Sequence, residues 1–193
     1  MSTGANTAER SRGNHRDALH PKVARPVTTP VIETARLRLV LESTESVLAR
    51  IDAMSPAERE HVSSDWLARM RAATPSPWTH GFAIVEREAN SVVGSCGYRG
   101  PPDSDGAVEI AYGVDPGHRG RGYAREAAAA LVELALGAGA RVIYAHTLPD
   151  NEASGRVLTA CGFKRVGEVV DPEDGLVLRW ELAAEGTRAE GAT

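Results

Sequence analysis

The chain has 193 residues, 42% hydrophobic and 25% charged, with a net charge of −4, which is enough for one ordinary core and cramped for two. The slight acidity excludes a globally basic nucleic-acid binder, while two cysteines, Cys96 and Cys161, and scattered histidines supply neither a disulfide framework nor zinc-ligand spacing. No apolar run approaches the ~20 residues that cross a bilayer and no hydrophobic signal core opens the chain, so a soluble cytoplasmic protein with no metal, membrane or nucleic-acid partner is expected.

Residues 1–30 are rich in Ser, Thr, Asn, Arg and Pro with little to bury, and read as a mobile tail. Residues 184–193, small and polar, read as a second flexible end, leaving one domain over 31–183. "ARLRLVLE" alternates Leu37, Leu39 and Leu41 with Arg36, Arg38 and Val40, the period of a half-buried strand. Helical spacing follows over 44–53 and 56–71, with Pro56 in a tolerant first turn and "ATPSPW" ending the second helix. Three short strands come next, "GFAIVERE", "SVVGSCGYR" and "GAVEIAYGV", joined by a turn at Ala89–Asn90 and a Pro-Pro-Asp loop, as in an antiparallel meander.

From Ala124 onward Ala124, Ala127, Leu131 and Leu134 recur at helical steps, and Gly137 and Gly139 stop that helix. "RVIYAHT" supplies a strand, "NEASGRVLTAC" a helix ended by Gly162, and "FKRVGEVV" with "LVLRWEL" a closing hairpin. The order βααβββαβαββ predicts an α/β (α+β) domain, a mixed, mostly antiparallel sheet of six to seven strands with helices on both faces.

One stretch carries chemistry. In "DPGHRGRGYAREAAAALVEL", Asp115 to Leu134, a basic, glycine-bearing loop feeds directly into a helix start. Free N–H groups and the positive end of the helix dipole attract anions there, and glycines let a ligand approach the chain. A phosphate-binding P-loop is excluded because Gly-Lys-Ser/Thr is absent, and the dinucleotide fingerprint fails because Arg125 occupies its third glycine position.

What remains, Arg119 to Ala124, resembles the acyl-CoA pyrophosphate loop of the GNAT superfamily of N-acetyltransferases: Arg or Gln, two residues, Gly, one residue, then Gly or Ala. Arg119, Gly122 and Ala124 match. The flanking "VEIAYGVDPGHRGRGYA" and "NEASGRVLTACGFKRVGE" resemble that family's preceding strand and its Asn-containing helix, and the likeness runs from about Ile32 to Leu182. "ETARLRL" and "NEASGRVL" resemble the branch of ribosomal-protein N-terminal acetyltransferases.

The resemblance implies acetyl-CoA as co-substrate and direct transfer of its acetyl group to a primary amine, with no metal. Cofactor contacts fall on Gly113, Val114, Arg119, Gly120, Arg121, Gly122, Tyr123, Ala124, Asn151 and Ser154. In the family, the strand matching 107–114 carries a bulge and splays from the next parallel strand, freeing backbone groups for the pantetheine arm. The Val114 N–H would there donate to the thioester oxygen.

An amine that arrives protonated needs a proton acceptor, and Glu109 is the first candidate, sharing a strand face with Ala111 and Gly113; a solvated or ion-paired carboxylate is the alternative. The tyrosine acid many members carry is missing, since that position is Leu158; Ser154, one turn after Asn151, stands near the cofactor sulfur in the resembled branch, as proton donor or cofactor contact. Asn151 either bonds the arm or caps its helix. Trp66, Trp78, Tyr98, Asp65, Asp103 and Asp105 are candidates for an acceptor pocket or ordinary core and surface, while His118, Cys96 and Cys161 read as solvent-facing or packing residues.

The acceptor, a protein N-terminal amine or a small-molecule amine, is left open. A protein acceptor would need a wide cleft between the 44–71 helices and the closing hairpin. A non-catalytic acyl-CoA-binding module of the same fold is the alternative function, and symmetric dimers are frequent in the family.

Overall fold

The computed structural model describes residues 30–184 except 61 and 173. Apart from Pro30 and Ala184, the two expected tails lie outside the described residues. The strands are β1 Val31–Glu33, β2 Leu37–Leu41, β3 Phe82–Glu86, β4 Ser91–Tyr98, β5 Ala107–Val114, β6 Val142–Thr147, β7 Lys164–Asp171 and β8 Gly175–Ala183. The helices are α1 Thr44–Ala53, α2 Pro56–Glu60, α3 Ser64–Ala72, α4 Tyr123–Gly137 and α5 Glu152–Ala160, with a short 3₁₀ turn at Pro116–His118.

The eight strands form one sheet in the order β1-β2-β3-β4-β5-β6-β8-β7. Among the described residues only β5 and β6 pair in parallel, with α4 as their crossover; the other pairs are antiparallel. The mixed α/β sheet is therefore as expected, with one strand more than foreseen. β1 escaped notice because three residues are too few for a readable alternation.

The helix expected over 56–71 is two helices, α2 and α3. Ser63 accepts the Trp66 N–H through its side chain and so starts a new helix where a continuous one was expected.

Leu37, Leu39 and Leu41 all point into the core, as their alternation requires, and each fully buried leucine contributes about 1.5–3 kcal/mol. On α4 Ala127, Ala128, Leu131 and Ala135 are fully buried and Tyr123, Ala130 and Val132 nearly so, while Ala124 and Leu134 are half-buried, so the helix buries a broader face than its spacing suggested. Alanines at 127, 128 and 135 let the helix axis come close to the sheet. A larger side chain at Ala128 would force displacement costing about 1–3 kcal/mol.

Tyr98 on β4 donates to the Leu131 carbonyl at 2.5 Å, and Tyr112 on β5 reaches Ser154, so α4 and α5 cover the sheet face these tyrosines share. Residues of α3 stand over the opposite face, where Ala111 and Gly113 point.

Candidate active site

β5 and β6 part company near the sheet's middle. Their pairing covers Ala107↔Val142 to Glu109↔Tyr144 and stops there, although β5 runs on to Val114 and β6 to Thr147. On its other side β5 stays bonded to β4 through Arg99 N–H to Glu109 O at 3.1 Å and Asp115 N–H to Val93 O at 2.9 Å. Those two bonds fix the phase: every second residue of β5 bonds β4, so Tyr112 and Val114 direct their backbone groups into the gap beside β6. The resemblance led to a bulge here as well, and none is present; register with β4 is continuous from Tyr98↔Ile110 to Gly94↔Val114. The opening comes from the divergence of β6 alone.

The gap leads to the start of α4. Gly120 at φ 76° and Gly122 at φ 80° hold the left-handed conformation in which glycine is favoured, and a Cβ on Gly120 would meet open space. Among the described residues no side chain caps α4, and its first bond is Glu126 N–H to Gly122 O at 3.2 Å, so the N–H groups of Tyr123, Ala124 and Arg125 emerge at the helix end. Arg119 turns its Nε back to the Val114 carbonyl at 3.0 Å, tying the loop to the strand end, and Arg121 is exposed. Tyr123 is 8% exposed, so its ring belongs to the core and only its backbone faces the loop.

Glu126, in the first turn of α4, accepts from Thr34 Oγ1 and Arg36 N at 2.7 Å each and from Arg36 Nε at 2.8 Å. Burial pushes its carboxyl up, but these bonds and the Arg36 charge outweigh that and hold it below the usual range. Nothing in local spacing announces this contact, which joins residues about 90 positions apart.

At α5, Asn151 Oδ1 accepts the Ser154 N–H at 3.1 Å and so caps the helix. Ser154 Oγ lies 2.9 Å from the Tyr112 hydroxyl. Burial drives the Tyr112 phenol up to about 12, against the pull of the Ser154 bond, so it keeps its proton at neutral pH. Tyr112 lies on the face of β5 opposite Glu109, and its meeting with Ser154 depends on how α5 docks.

Glu109 is half-buried and engaged. His146 Nδ1 lies 3.1 Å and Arg99 Nε 3.4 Å from its Oε1, and the buried His146 Nε2 has no partner among the described residues. The ion-paired carboxylate weighed from sequence is thus the observed ground state.

A cavity of about 650 Å³ lies along the same face of β5. Gly97, Ala111 and Gly113 line it from the sheet, Trp66 and Arg69 from α3, and Asp171 from the end of β7. Asp65 also borders it, whereas Trp78 packs on the core with its ring 4.5 Å from that of Tyr98. A Cβ on Gly113 would meet nothing within 4 Å, so the missing side chain is space given to the cavity. His80, 2% exposed on the cavity wall, is held between Thr44 and Thr79 hydroxyls at 2.8 Å each, and burial lowers its pKa against the raising effect of Glu42. Burial raises the Cys96 and Cys161 thiols, which fits packing.

This arrangement has known counterparts. The family profile "Acetyltransferase (GNAT) domain" matches residues 31–164. The uncharacterized N-acetyltransferase YjdG of Bacillus subtilis is 36% identical over 89 residues, 44% of this chain and 53% of that protein. The chain spans about half the length of the curated relatives it matches.

Among solved structures, the ribosomal-protein-S5-alanine acetyltransferase of Vibrio fischeri superposes with a TM-score of 0.63 at 16% identity, covering 83% of this chain and 100% of that one. The ribosomal L7/L12 alpha-N-protein acetyltransferase RimL in complex with coenzyme A gives 0.61 at 18% identity, covering 80% and 98%. These likenesses concern the fold. With the parted strands, the open helix start and most of the domain under one family profile, the chain belongs to the acetyltransferase (GNAT) domain family.

Proposed function

We propose that the protein is an acetyl-CoA-dependent N-acetyltransferase that transfers the acetyl group directly to a primary amine in a ternary complex. The observation that carries this reading is the uncapped start of α4 set beside the unpaired edge of β5. A ligand with a pyrophosphate and an amide-bearing arm suits that pair of features: N–H donors and positive charge at one end, free strand backbone at the other. When bound, acetyl-CoA supplies a thioester for the amine to attack.

The N–H groups over 120–124 hold the pyrophosphate, and Arg119 and Arg121 add charge. Gly113 has its backbone turned to β4 and so gives only the space of its missing side chain; Tyr112 and Val114 offer backbone to the arm, and the Val114 N–H stabilises negative charge developing on the thioester oxygen. The Asn151 amide nitrogen, left over by its cap, bonds the arm. Glu109 takes the amine proton, directly or through water, and is kept in place by Arg99 and His146. Ser154, bonded to the protonated Tyr112, contacts the sulfur end and can return a proton to the departing thiolate.

The cavity beside Ala111 and Gly113 receives the acceptor, a protein N-terminal amine or a small amine. Its position between α3 and the end of β7 suits a cleft entered from outside. We place the reaction in the cytoplasm, with neither metal nor nucleic acid, in a monomer or symmetric homodimer.

Calorimetry with acetyl-CoA on the native protein and on Gly122→Glu, followed by thiol release with pooled amines and N-terminal peptides, tests this reading. Binding abolished by Gly122→Glu, with amine-dependent thiol release, is expected. No binding by the native protein overturns it, and binding without release on any amine favours the non-catalytic module.

A further inference from the structure

The turn between β1 and β2 is bound to the start of α4 by more than a surface turn requires. Besides the bonds from Thr34 and Arg36 to the Glu126 carboxylate, Arg36 Nη1 donates to the Arg121 carbonyl at 2.7 Å. The guanidinium lies over the Tyr123 ring at 5.2 Å, and Nη2 is 3.2 Å from where a Gly122 Cβ would stand. One side chain therefore grips the helix by its carboxylate and the glycine loop by its backbone. Thr34 is itself fixed by its N–H to Leu37 O at 2.9 Å and by Arg87 Nη1 on its carbonyl at 2.7 Å.

Two consequences bear on anion binding. The Arg121–Gly122 peptide is trans, so its C=O and N–H point opposite ways. With the carbonyl turned toward Arg36, the Gly122 N–H is turned away from the β1–β2 turn, onto the free side of the loop. Gly122, at φ 80°, has no side chain to hold that orientation by itself. The second consequence is electrostatic. Glu126 puts a carboxylate in the turn whose dipole attracts anions, where an unpaired charge would repel the incoming ligand; Arg36 neutralises it.

We infer that Arg36 is a positioning residue for pyrophosphate binding: it aims the Gly122 N–H and cancels Glu126 without itself contacting the phosphate. The inference rests on the acetyl-CoA reading above and assigns the β1–β2 turn a part in it.

Acetyl-CoA titrations at several salt concentrations on the wild type, Arg36→Met, Arg36→Lys, the double variant Arg36→Met with Glu126→Gln, and Arg119→Ala test it. Arg36→Met is expected to bind about tenfold more weakly, the loss of charge-assisted bonds. Arg36→Lys, which keeps the charge beside Glu126 but not the two-point grip, is expected to bind about threefold more weakly. The slope of log Kd against log salt should be that of the wild type in the double variant, which removes both charges of the pair together, and shallower in Arg119→Ala, where a charge facing the ligand is removed.

Wild-type affinity in Arg36→Met overturns the inference. A shallower slope in the double variant does so too, because Arg36 would then be a phosphate contact. If Arg36→Met does not fold, wild-type affinity in Arg36→Lys overturns the inference and weakened binding supports the two-point grip. A wild type that does not bind acetyl-CoA removes the parent reading instead, which keeps the two failures apart.

Discussion

Helices α4 and α5 pack against each other and begin in opposite ways. At α5 the chain supplies its own acceptor, Asn151 Oδ1 on the Ser154 N–H, as Ser43 and Ser63 do for α1 and α3. At α4 the corresponding residue is Gly122, with no side chain and a left-handed backbone unlike the extended cap at Ser43. A cap is worth about 1 kcal/mol. Its absence at one long, well-packed helix leaves N–H donors open, so the difference separates a helix start that the chain satisfies by itself from one that it leaves unfilled.

The most direct way to break this comparison is to give α4 a carboxylate of its own. Gly122→Asp is tolerable in a left-handed position, since Asp visits it more readily than most residues. We expect acetyl-CoA affinity to fall by about a hundredfold, ~2.7 kcal/mol, with the melting temperature of the free protein lowered by a few degrees, since even aspartate is strained at φ 80° and its Cβ would stand 3.2 Å from Arg36 Nη2. Unchanged affinity by calorimetry would mean that the start of α4 is not where the anion binds.

That contrast was partly legible in the sequence. Glycines and arginines ahead of an alanine-rich run announce an open helix start because the rule is local: no residue over 119–122 other than arginine and glycine is available to cap. The leucine alternation over 37–41 and most strand boundaries were legible for the same reason, with side chains repeating at the period of the element they build.

Whatever depends on docking was not legible. Thr34 and Arg36 meet Glu126, His146 meets Glu109, and Tyr112 meets Ser154 because the sheet and its helices bring distant segments together; no spacing encodes those contacts. The break between α2 and α3 was a local signal passed over, since the Ser63–Ser64 pair is a helix-start signature inside an otherwise continuous pattern.

Removing the cap of α5 sharpens the comparison from the other side. Asn151→Ala should cost about 1 kcal/mol, seen as a drop of about 2–4 °C in the melting temperature. If the Asn151 amide also bonds the cofactor arm, acetyl-CoA affinity falls several-fold in the same variant; a lowered melting temperature with unchanged affinity confines Asn151 to the cap. Tyr112→Phe should cost less than about 1 kcal/mol of stability, since Ser154 Oγ, on a half-exposed helix turn, can turn to water. Its larger effect is expected on turnover, because Ser154 loses the partner that holds its hydroxyl; turnover equal to wild type would mean that Ser154 acts without the Tyr112 bond.

The smallest effect separates the two helix starts by pH. Each carries an acid in its first turn, but Glu152 is exposed and makes only an i,i+4 pair with Arg156 at 3.2 Å, a contact worth little. Glu126 is held below its ordinary value of 4.5 by Thr34 and Arg36, against the opposing push of burial. A carboxyl depressed in the folded state contributes stability that is fully present above its unfolded pKa and is lost as pH falls through the folded one. The melting temperatures of wild type and Glu126→Gln should therefore differ at neutral pH, with the wild type higher. The gap should close once the pH drops below 4.5 toward the depressed value. Glu152→Gln, by contrast, should melt with the wild type at neutral pH. A gap for Glu126→Gln that persists undiminished into acid would mean that shape, not charge, joins the β1–β2 turn to α4, and would remove the electrostatic half of the role assigned to Arg36.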